Sequence, residues 1–297
     1  MIDSACASGI DLQTKKPPAS VALQGVTVAE DACCDSANRV RVLDAIVANA
    51  DRVNFFGSRY RPYWIMSDLA GLSAFAYAWA FSRRFLAVSG IGLIVAILAA
   101  LLVYKLVLEA KAALGKPAAR SFLQDCLVII IPCFLLVSVL FKQPMSLTLA
   151  FLGTLLPLYG CLARIGCFLG GCCYGKPSRA GVLYPPSIFQ SIDHGCRRYS
   201  PSPNPGTRVF PIQLLEATVQ AVLFVTLATL VWRVPNAAAS IFWLYLSLYA
   251  VIRFVLDFYR TTSARPRCWR FSEAQLVCLG VQLVGIAVLV QQSLRAA

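Results

Sequence analysis

The chain has 297 residues, 58% of them hydrophobic, and a mean hydropathy of +0.68. Soluble domains sit nearer about 45–50% apolar, so this excess excludes an ordinary soluble fold and points to a membrane. The 27 basic and 14 acidic residues leave a net charge of +13. No polar domain of useful size carries that charge, which excludes a nucleic-acid-binding module.

Residues 1–58 are mixed polar and small, with "KKPPAS" at 15–20 and no apolar stretch of signal-peptide length. They read as a polar N-terminal extension, expected to be flexible to about residue 38. Within it, "RVRVLDAIVANADRV" at 39–53 predicts one short amphipathic helix lying on the membrane surface. A hydrocarbon core of about 30 Å needs about 20 mostly apolar residues per helix. Runs near 64–81, 85–108, 122–141, 147–165, 211–232, 237–257 and 273–294 meet that requirement. They predict an all-α polytopic membrane protein of about seven transmembrane helices, with one domain over residues 59–297.

The first span opens with "YRPYWIMSDLAGL", which puts Tyr63 and Trp64 at the membrane–water interface that such rings prefer. Asp68, about a turn and a half further in, is an acidic group that must face protein or water. The basic residues collect between spans, at Arg83 and Arg84, at Lys111, Lys116 and Arg120, and in the 176–208 and 260–270 connections. There they serve topology and meet anionic headgroups. The connection from Lys176 to Pro211 contains "YPPS", "HGCRRYS" and "SPSPNPG". Its proline and glycine exclude a long helix, and its length marks a functional loop.

Twelve cysteines form a disulfide framework only in small secreted chains. Cys126, Cys133, Cys161 and Cys278 lie inside apolar spans, where cysteine behaves as a small hydrophobe. The vicinal pairs Cys33–Cys34 and Cys172–Cys173 do not bridge with good geometry. Cys167, Cys172, Cys173, His194 and Cys196 are spaced C-x₄-C-C…H-x-C, which matches none of the common zinc patterns. Cys172 and Cys173 are therefore expected to be reduced and metal-free.

Three stretches carry chemistry. "LYGCLARIGCFLGGCCYGKPS" at 158–178 ends an apolar run with Arg164, four glycines and three cysteines. Gly166 and Gly170 are four apart, as are Gly171 and Gly175, a spacing that admits another helix or a ligand close to the backbone. Backbone N–H groups around such a turn suit an anion, and the planar fork of Arg164 matches a phosphate oxygen pair. "VFPIQLLEATVQ" at 209–220 opens a helix after proline with Gln213 and Glu216 on one face. "YAVIRFVLDFYR" at 249–260 sets Arg253 and Asp257 at i, i+4 in an apolar helix. Either that pair neutralises itself, or Arg253 faces a cavity and Asp257 holds its fork in place.

These stretches, in order and spacing, resemble the prolipoprotein diacylglyceryl transferase family over roughly residues 60–295. "RIGCFLGGCCYG" stands for the family's R-[IL]-G-N-F-x-N-G-E-x-[WY]-G. "PIQLLEA" stands for H-P-[ST]-Q-L-Y-E, and "YAVIRFVLDFYR" for Y-x-x-x-R-F-x-x-E-F-x-R. The resemblance implies seven transmembrane helices in the bacterial cytoplasmic (inner) membrane and no cofactor. It implies transfer of the diacylglyceryl group of phosphatidylglycerol to the lipobox cysteine of a preprolipoprotein, releasing glycerol 1-phosphate. Carried over by position, Arg164 and Arg253 become phosphate-binding arginines, and Glu216 and Asp257 functional acids. Tyr63, Gly166, Cys167, Cys172, Gly175 and Gln213 become substrate contacts. The implied partners are phosphatidylglycerol, lipobox peptides and membrane lipids.

The chain departs from the family as a divergent G-C-C-Y-G variant. Cys167 replaces the asparagine after R-I-G, and Cys172 replaces the signature glutamate. The family's H-G-G stretch is missing where it is expected, in "FLQDCLVIIIPCFLLVSVLFKQP" at 122–144. That leaves Asp68, Asp125, Glu216 or the arginine field to ionise the acceptor thiol. An inactive or re-purposed lipid-binding paralogue is the alternative reading, followed by a cysteine-based metal or thiol-redox membrane protein. The side holding 1–63, 109–121, 176–210 and 260–272 is the more basic, which by charge alone faces the cytoplasm. The resemblance puts those loops outside, and the expectation follows the three matched stretches.

Overall fold

The computed structural model describes residues 42–50, 54–55, 58–59, 62–113, 126–190, 203, 206–260, 267–268 and 271–296. Each of the seven apolar runs carries a helix there. After a short helix over 42–50 (α1) come α2 (Pro62–Arg84), α3 (Gly90–Ala113), α4 (Ile131–Leu140, led in by a π turn at Cys126–Ile130) and α5 (Met145–Leu169). A five-residue helix α6 (Pro186–Gln190) precedes α7 (Ile212–Arg233), α8 (Ala238–Asp257) and α9 (Glu273–Ala296). Among the described residues, strand structure is limited to the two-residue pairs Asn54–Phe55 with Ser58–Arg59 and Arg267–Cys268 with Phe271–Ser272, and to a strand over Pro177–Val182.

Among the described residues, five helices are long and apolar enough to cross a membrane by length and composition: Gly90–Val107, Met145–Leu169, Ile212–Arg233, Pro235–Asp257 and Glu273–Leu294. The apolar helix Val128–Leu140 is shorter. Their outward faces are greasy, with Leu102, Leu136, Val222 and Leu283 all exposed. A soluble helix hides such residues on one stripe. Here the apolar residues surround each helix, as a lipid environment allows.

The middle of the fold is α5, which packs against α2, α7 and α8. Small residues let it do so. A Cβ on Gly153 would lie 2.7 Å from the Phe242 Cα of α8, and one on Gly166 would lie 2.9 Å from the Met66 Cβ of α2. Between the helices, Tyr77 stacks on Phe151 with ring centroids 5.6 Å apart and donates a 2.8 Å hydrogen bond to Thr154 Oγ1. A buried phenol without such a partner would cost about 1–3 kcal/mol.

A second, smaller core lies beyond the end of α5 and gathers Cys167, Phe168, Cys172, Tyr174, Val182, Tyr184, Ile188 and Val209. α1 joins it. Val47 is fully buried there, and Asp44 takes a forked pair from Arg208, with Nη2–Oδ2 at 2.7 Å and Nη1–Oδ1 at 3.3 Å. The Leu183 N–H adds a third bond to the same carboxylate at 2.8 Å. The helix expected on the membrane surface is tied to protein through Val47, Leu43 and Asp44, while Val42 and Ile46 stay exposed.

Candidate active site

The chain leaves α5 through a Schellman turn. The Cys172 N–H bonds the Cys167 carbonyl at 3.0 Å, and the Gly171 N–H bonds that of Phe168 at 3.3 Å. Gly171 sits at φ +65, the left-handed conformation that this turn requires and that glycine adopts without strain. Four residues on, Gly175 meets two other strands of backbone. Its N–H bonds the Phe210 carbonyl at 2.8 Å, and Lys176 N–H bonds Tyr259 O at 2.9 Å. A Cβ on Gly175 would lie 2.9 Å from both the Phe210 and Tyr259 carbonyl oxygens. This crossing brings the ends of α5 and α8 and the start of α7 to one point.

Side chains from those three elements converge there. Arg164 of α5 pairs through Nε with Glu216 Oε1 at 3.1 Å. Arg260, just past α8, pairs with Glu216 Oε2, and Tyr249 donates to Glu216 Oε1 at 2.6 Å. Glu216 is fully buried, and Arg260 is 2% exposed. One turn below, Arg253 Nη2 lies 3.6 Å from Asp257 Oδ1. Arg253 is also within electrostatic reach of Glu216. Three guanidinium groups thus face two carboxylates, an excess of one positive charge. Burial and then the like charge of Arg253 pull Arg260 down to about 10, which leaves it charged at neutral pH. Arg253 Nη1, Arg260 Nε and Arg260 Nη1 are buried with no hydrogen-bond acceptor among the described residues.

Asp257 is held from its other side. Ser272 caps α9 with a reciprocal box: the Ser272 N–H donates to Gln275 Oε1 at 2.9 Å, and the Gln275 N–H to Ser272 Oγ at 3.2 Å. The same Ser272 hydroxyl donates to Asp257 Oδ2 at 2.5 Å. Asp257 thus lies between Arg253 and Ser272, while Arg253 Nη1 is buried without an acceptor among the described residues.

The remaining expected site residues fall around this cluster. Gln213 is fully buried and donates from Nε2 to the Cys172 carbonyl at 2.7 Å. Gly166 lies against the Tyr63 backbone, where a Cβ would be 3.4 Å from the Tyr63 oxygen. Cys167, Cys172 and Cys173 lie with their sulfurs all within 4.8 Å of one another, a group among the described residues that could hold a metal ion. Cys33, Cys34, Asp125, His194 and Cys196 lie outside the described residues. Asp68 is exposed on α2 and takes no part in the cluster. Burial pushes the Tyr174 phenol up to about 12. Burial also raises Tyr184, whose hydroxyl donates to Phe168 O at 3.0 Å.

Two participants were not singled out from the sequence. Arg260 and Tyr249 stand at the two ends of "YAVIRFVLDFYR", the stretch that drew attention to Arg253. The signal was the motif's own boundary residues, both of them polar in an apolar run.

The prolipoprotein diacylglyceryl transferase family model matches residues 85–291. The chain belongs to the prolipoprotein diacylglyceryl transferase family. Among curated relatives, it is 31% identical over 129 residues to a phosphatidylglycerol–prolipoprotein diacylglyceryl transferase of Clostridium tetani, covering 42% of this chain and 45% of that one. It is 30% identical over 148 residues to the enzyme of the same name from Xanthomonas oryzae pv. oryzae, covering 47% and 50%. It is 25% identical over 143 residues to that from Hydrogenovibrio crunogenus, covering 47% and 49%. The chain spans about half the length of the curated relatives it matches.

Proposed function

We propose that this chain transfers the diacylglyceryl group of phosphatidylglycerol to the cysteine thiol of a preprolipoprotein lipobox. In this reading residues 59–297 form the transferase body, crossing the bacterial cytoplasmic membrane seven times, and residues 1–58 are an N-terminal extension. The observation that carries it is the uneven cluster of Arg164, Arg253 and Arg260 about Glu216 and Asp257, with three donor atoms left without acceptors among the described residues. Buried donors without partners are costly, and an anion relieves that cost. Family membership supplies the anion's class, a phospholipid headgroup.

The reaction this suits is a displacement at carbon. A thiolate sulfur bonds to the glycerol carbon that bears the phosphate, and the carbon–oxygen bond breaks. The electron pair goes to the phosphate oxygen, and glycerol 1-phosphate leaves. Guanidinium groups fixed before the reaction stabilise the charge growing on that oxygen, the kind of interaction that contributes most to catalysis. Glu216 holds two of the arginines in position and is itself saturated by Arg164, Arg260 and Tyr249.

The test is transfer of a labelled diacylglyceryl group from phosphatidylglycerol to a lipobox peptide by the purified protein, together with rescue of a strain depleted of its own transferase. A thioether product and rescue are expected. Lipid binding without product in either assay replaces this reading with that of an inactive paralogue.

A further inference from the structure

The reaction has a second requirement beside the phosphate site, an ionised acceptor thiol. A thiol attacks carbon as its thiolate, and its ordinary pKa of about 8.5 keeps most of it protonated at neutral pH. The described cluster offers no group to take that proton. Both oxygens of Glu216 are engaged by Arg164, Arg260 and Tyr249, and Asp257 is engaged by Arg253 and Ser272. Asp68 is exposed on α2. A positive field of the kind the arginines supply lowers a thiol's pKa, and metal coordination goes further, because a coordinated thiol is deprotonated outright.

Beside the arginines stand three sulfurs. The Schellman turn folds Cys172 back over Cys167 through the 3.0 Å bond between their backbones. Neighbouring side chains in extended backbone point to opposite sides. Cys173 escapes that rule by taking φ +59, one of two non-glycine residues at positive φ among the described residues. Strain of this kind collects at functional sites. Here it turns a third sulfur to the side of the other two, so that all three lie within 4.8 Å of one another. Sulfur–metal bonds of about 2.3 Å at tetrahedral or trigonal angles set sulfurs about 3.8–4.0 Å apart, so a closure of at most about 1 Å completes the site. Gln213 fixes the Cys172 carbonyl from behind at 2.7 Å. Cys167 and Cys172 are buried and Cys173 is partly open, so a fourth ligand approaches past Cys173. Arg164 is within electrostatic reach of Cys167 and Cys173, and Arg260 of Cys173. Three thiolates and a divalent cation carry one net negative charge, beside the guanidinium groups of Arg164 and Arg260.

We propose that Cys167, Cys172 and Cys173 bind one thiophilic divalent cation, zinc by class, and leave one coordination position open to the acceptor thiol. The site itself stands on the geometry of this chain; the role of the open position rests on the transferase reading above. The acceptor thiol gives its proton to water as it coordinates. Its sulfur then bonds to the glycerol carbon, and the electron pair of the broken carbon–oxygen bond leaves with the phosphate held by the arginines. The product is a thioether, a weaker ligand than a thiolate, and it dissociates. Three protein ligands with an open position are the arrangement of catalytic zinc sites.

The test uses full-length protein purified in detergent without chelators. Zinc is counted by elemental analysis, and cobalt(II) is then substituted as a spectroscopic probe. Stoichiometric zinc and near-ultraviolet sulfur-to-cobalt charge-transfer absorption are expected. The visible cobalt bands should shift on adding a lipobox peptide but not its serine counterpart. Cys173→Ser should weaken zinc binding by more than the roughly 10–100-fold that loss of a supporting hydrogen bond costs at a metal site. Cobalt titration of the wild-type protein decides the matter without any variant: no charge-transfer absorption overturns the site. A cobalt spectrum indifferent to the cysteine peptide overturns the open position. Unchanged transfer by zinc-stripped protein overturns the activation role while leaving the transferase reading intact. A peptide-responsive cobalt spectrum without transfer from phosphatidylglycerol upholds the site and removes the transferase reading instead.

Discussion

Arg164 of α5 reaches Glu216 of α7 at 3.1 Å across a helix interface where the acid is fully buried and the arginine 17% exposed. The pair leaves the rest of the Arg164 fork available to a ligand. Lysine at this position keeps the charge but is a single point donor. Hydrogen bonds to charged groups are worth about 1.5–3 kcal/mol. Arg164→Lys and Arg260→Lys are therefore expected to lower transfer from labelled phosphatidylglycerol by roughly 10–100-fold. Arg208→Lys, at the partly exposed pair with Asp44, changes it little. Equal activity in all three variants would remove the phosphate role.

Glu216 accepts from Arg164, Arg260 and Tyr249 at once. Glu216→Gln keeps its shape and removes the counter-charge of two buried arginines. Breaking a buried pair from one side typically costs about 3–5 kcal/mol. A marked fall in the thermal unfolding midpoint is expected, and an added anionic phospholipid should restore part of it. An unchanged midpoint would mean that the arginines are hydrated and the cluster is not the closed arrangement described.

Ser272 joins two functions in one hydroxyl, capping α9 and donating to Asp257. Loss of a serine cap costs about 0.5–2 kcal/mol, and an unsatisfied buried carboxylate adds to it. Ser272→Ala should lower the unfolding midpoint and raise the KM for lipid through the released Arg253. Ser272→Thr should restore both, since its hydroxyl serves the same two partners.

Much of this was readable from residue order. Twenty-residue apolar runs announce helices because a membrane interior leaves the backbone no other partner, and each of the seven runs carries one. Arg164, Glu216, Arg253 and Asp257 announce themselves as charges in such runs, where they are expensive. Other features depend on how the chain closes on itself. Asp44 finds Arg208 across 164 residues, which no local pattern encodes. Arg260 lies one turn past its helix, at the crossing made by Gly175. The three sulfurs meet because Gly171 and Cys173 adopt positive φ, and the C-x₄-C-C spacing matches no common zinc pattern without that turn.

Tyr174 and Tyr184 make the small core sensitive to alkali. Burial raises both phenols, Tyr174 from 10.0 to about 12. Below the ordinary value both folded and unfolded chains keep the proton, and the full stability is present. Between 10 and about 12 the unfolded chain ionises first, so stability falls as pH rises through that window. The unfolding midpoint should decline there together with the tyrosinate absorbance. Tyr174→Phe should make the decline shallower, whereas an identical profile would assign it to other groups.

Gly175 and Gly71 separate space from sequence. A Cβ at position 175 would lie 2.9 Å from two backbone carbonyl oxygens, and backbone at a three-way crossing has nowhere to move. At Gly71, in the middle of α2, nothing lies within 4 Å. Gly175→Ala is therefore expected to pull the 259–260 strand from the end of α5, taking Arg260 from Glu216. Both transfer and the unfolding midpoint should fall. Gly71→Ala should stabilise α2 by about 0.5–1 kcal/mol, since alanine loses less backbone freedom in a helix, and leave transfer unaltered. A thermal melt and a transfer assay on the two variants side by side check both. If Gly175→Ala melts and turns over like wild type, the crossing does not position the arginines, and the cluster about Glu216 must be held by α7 and α8 alone.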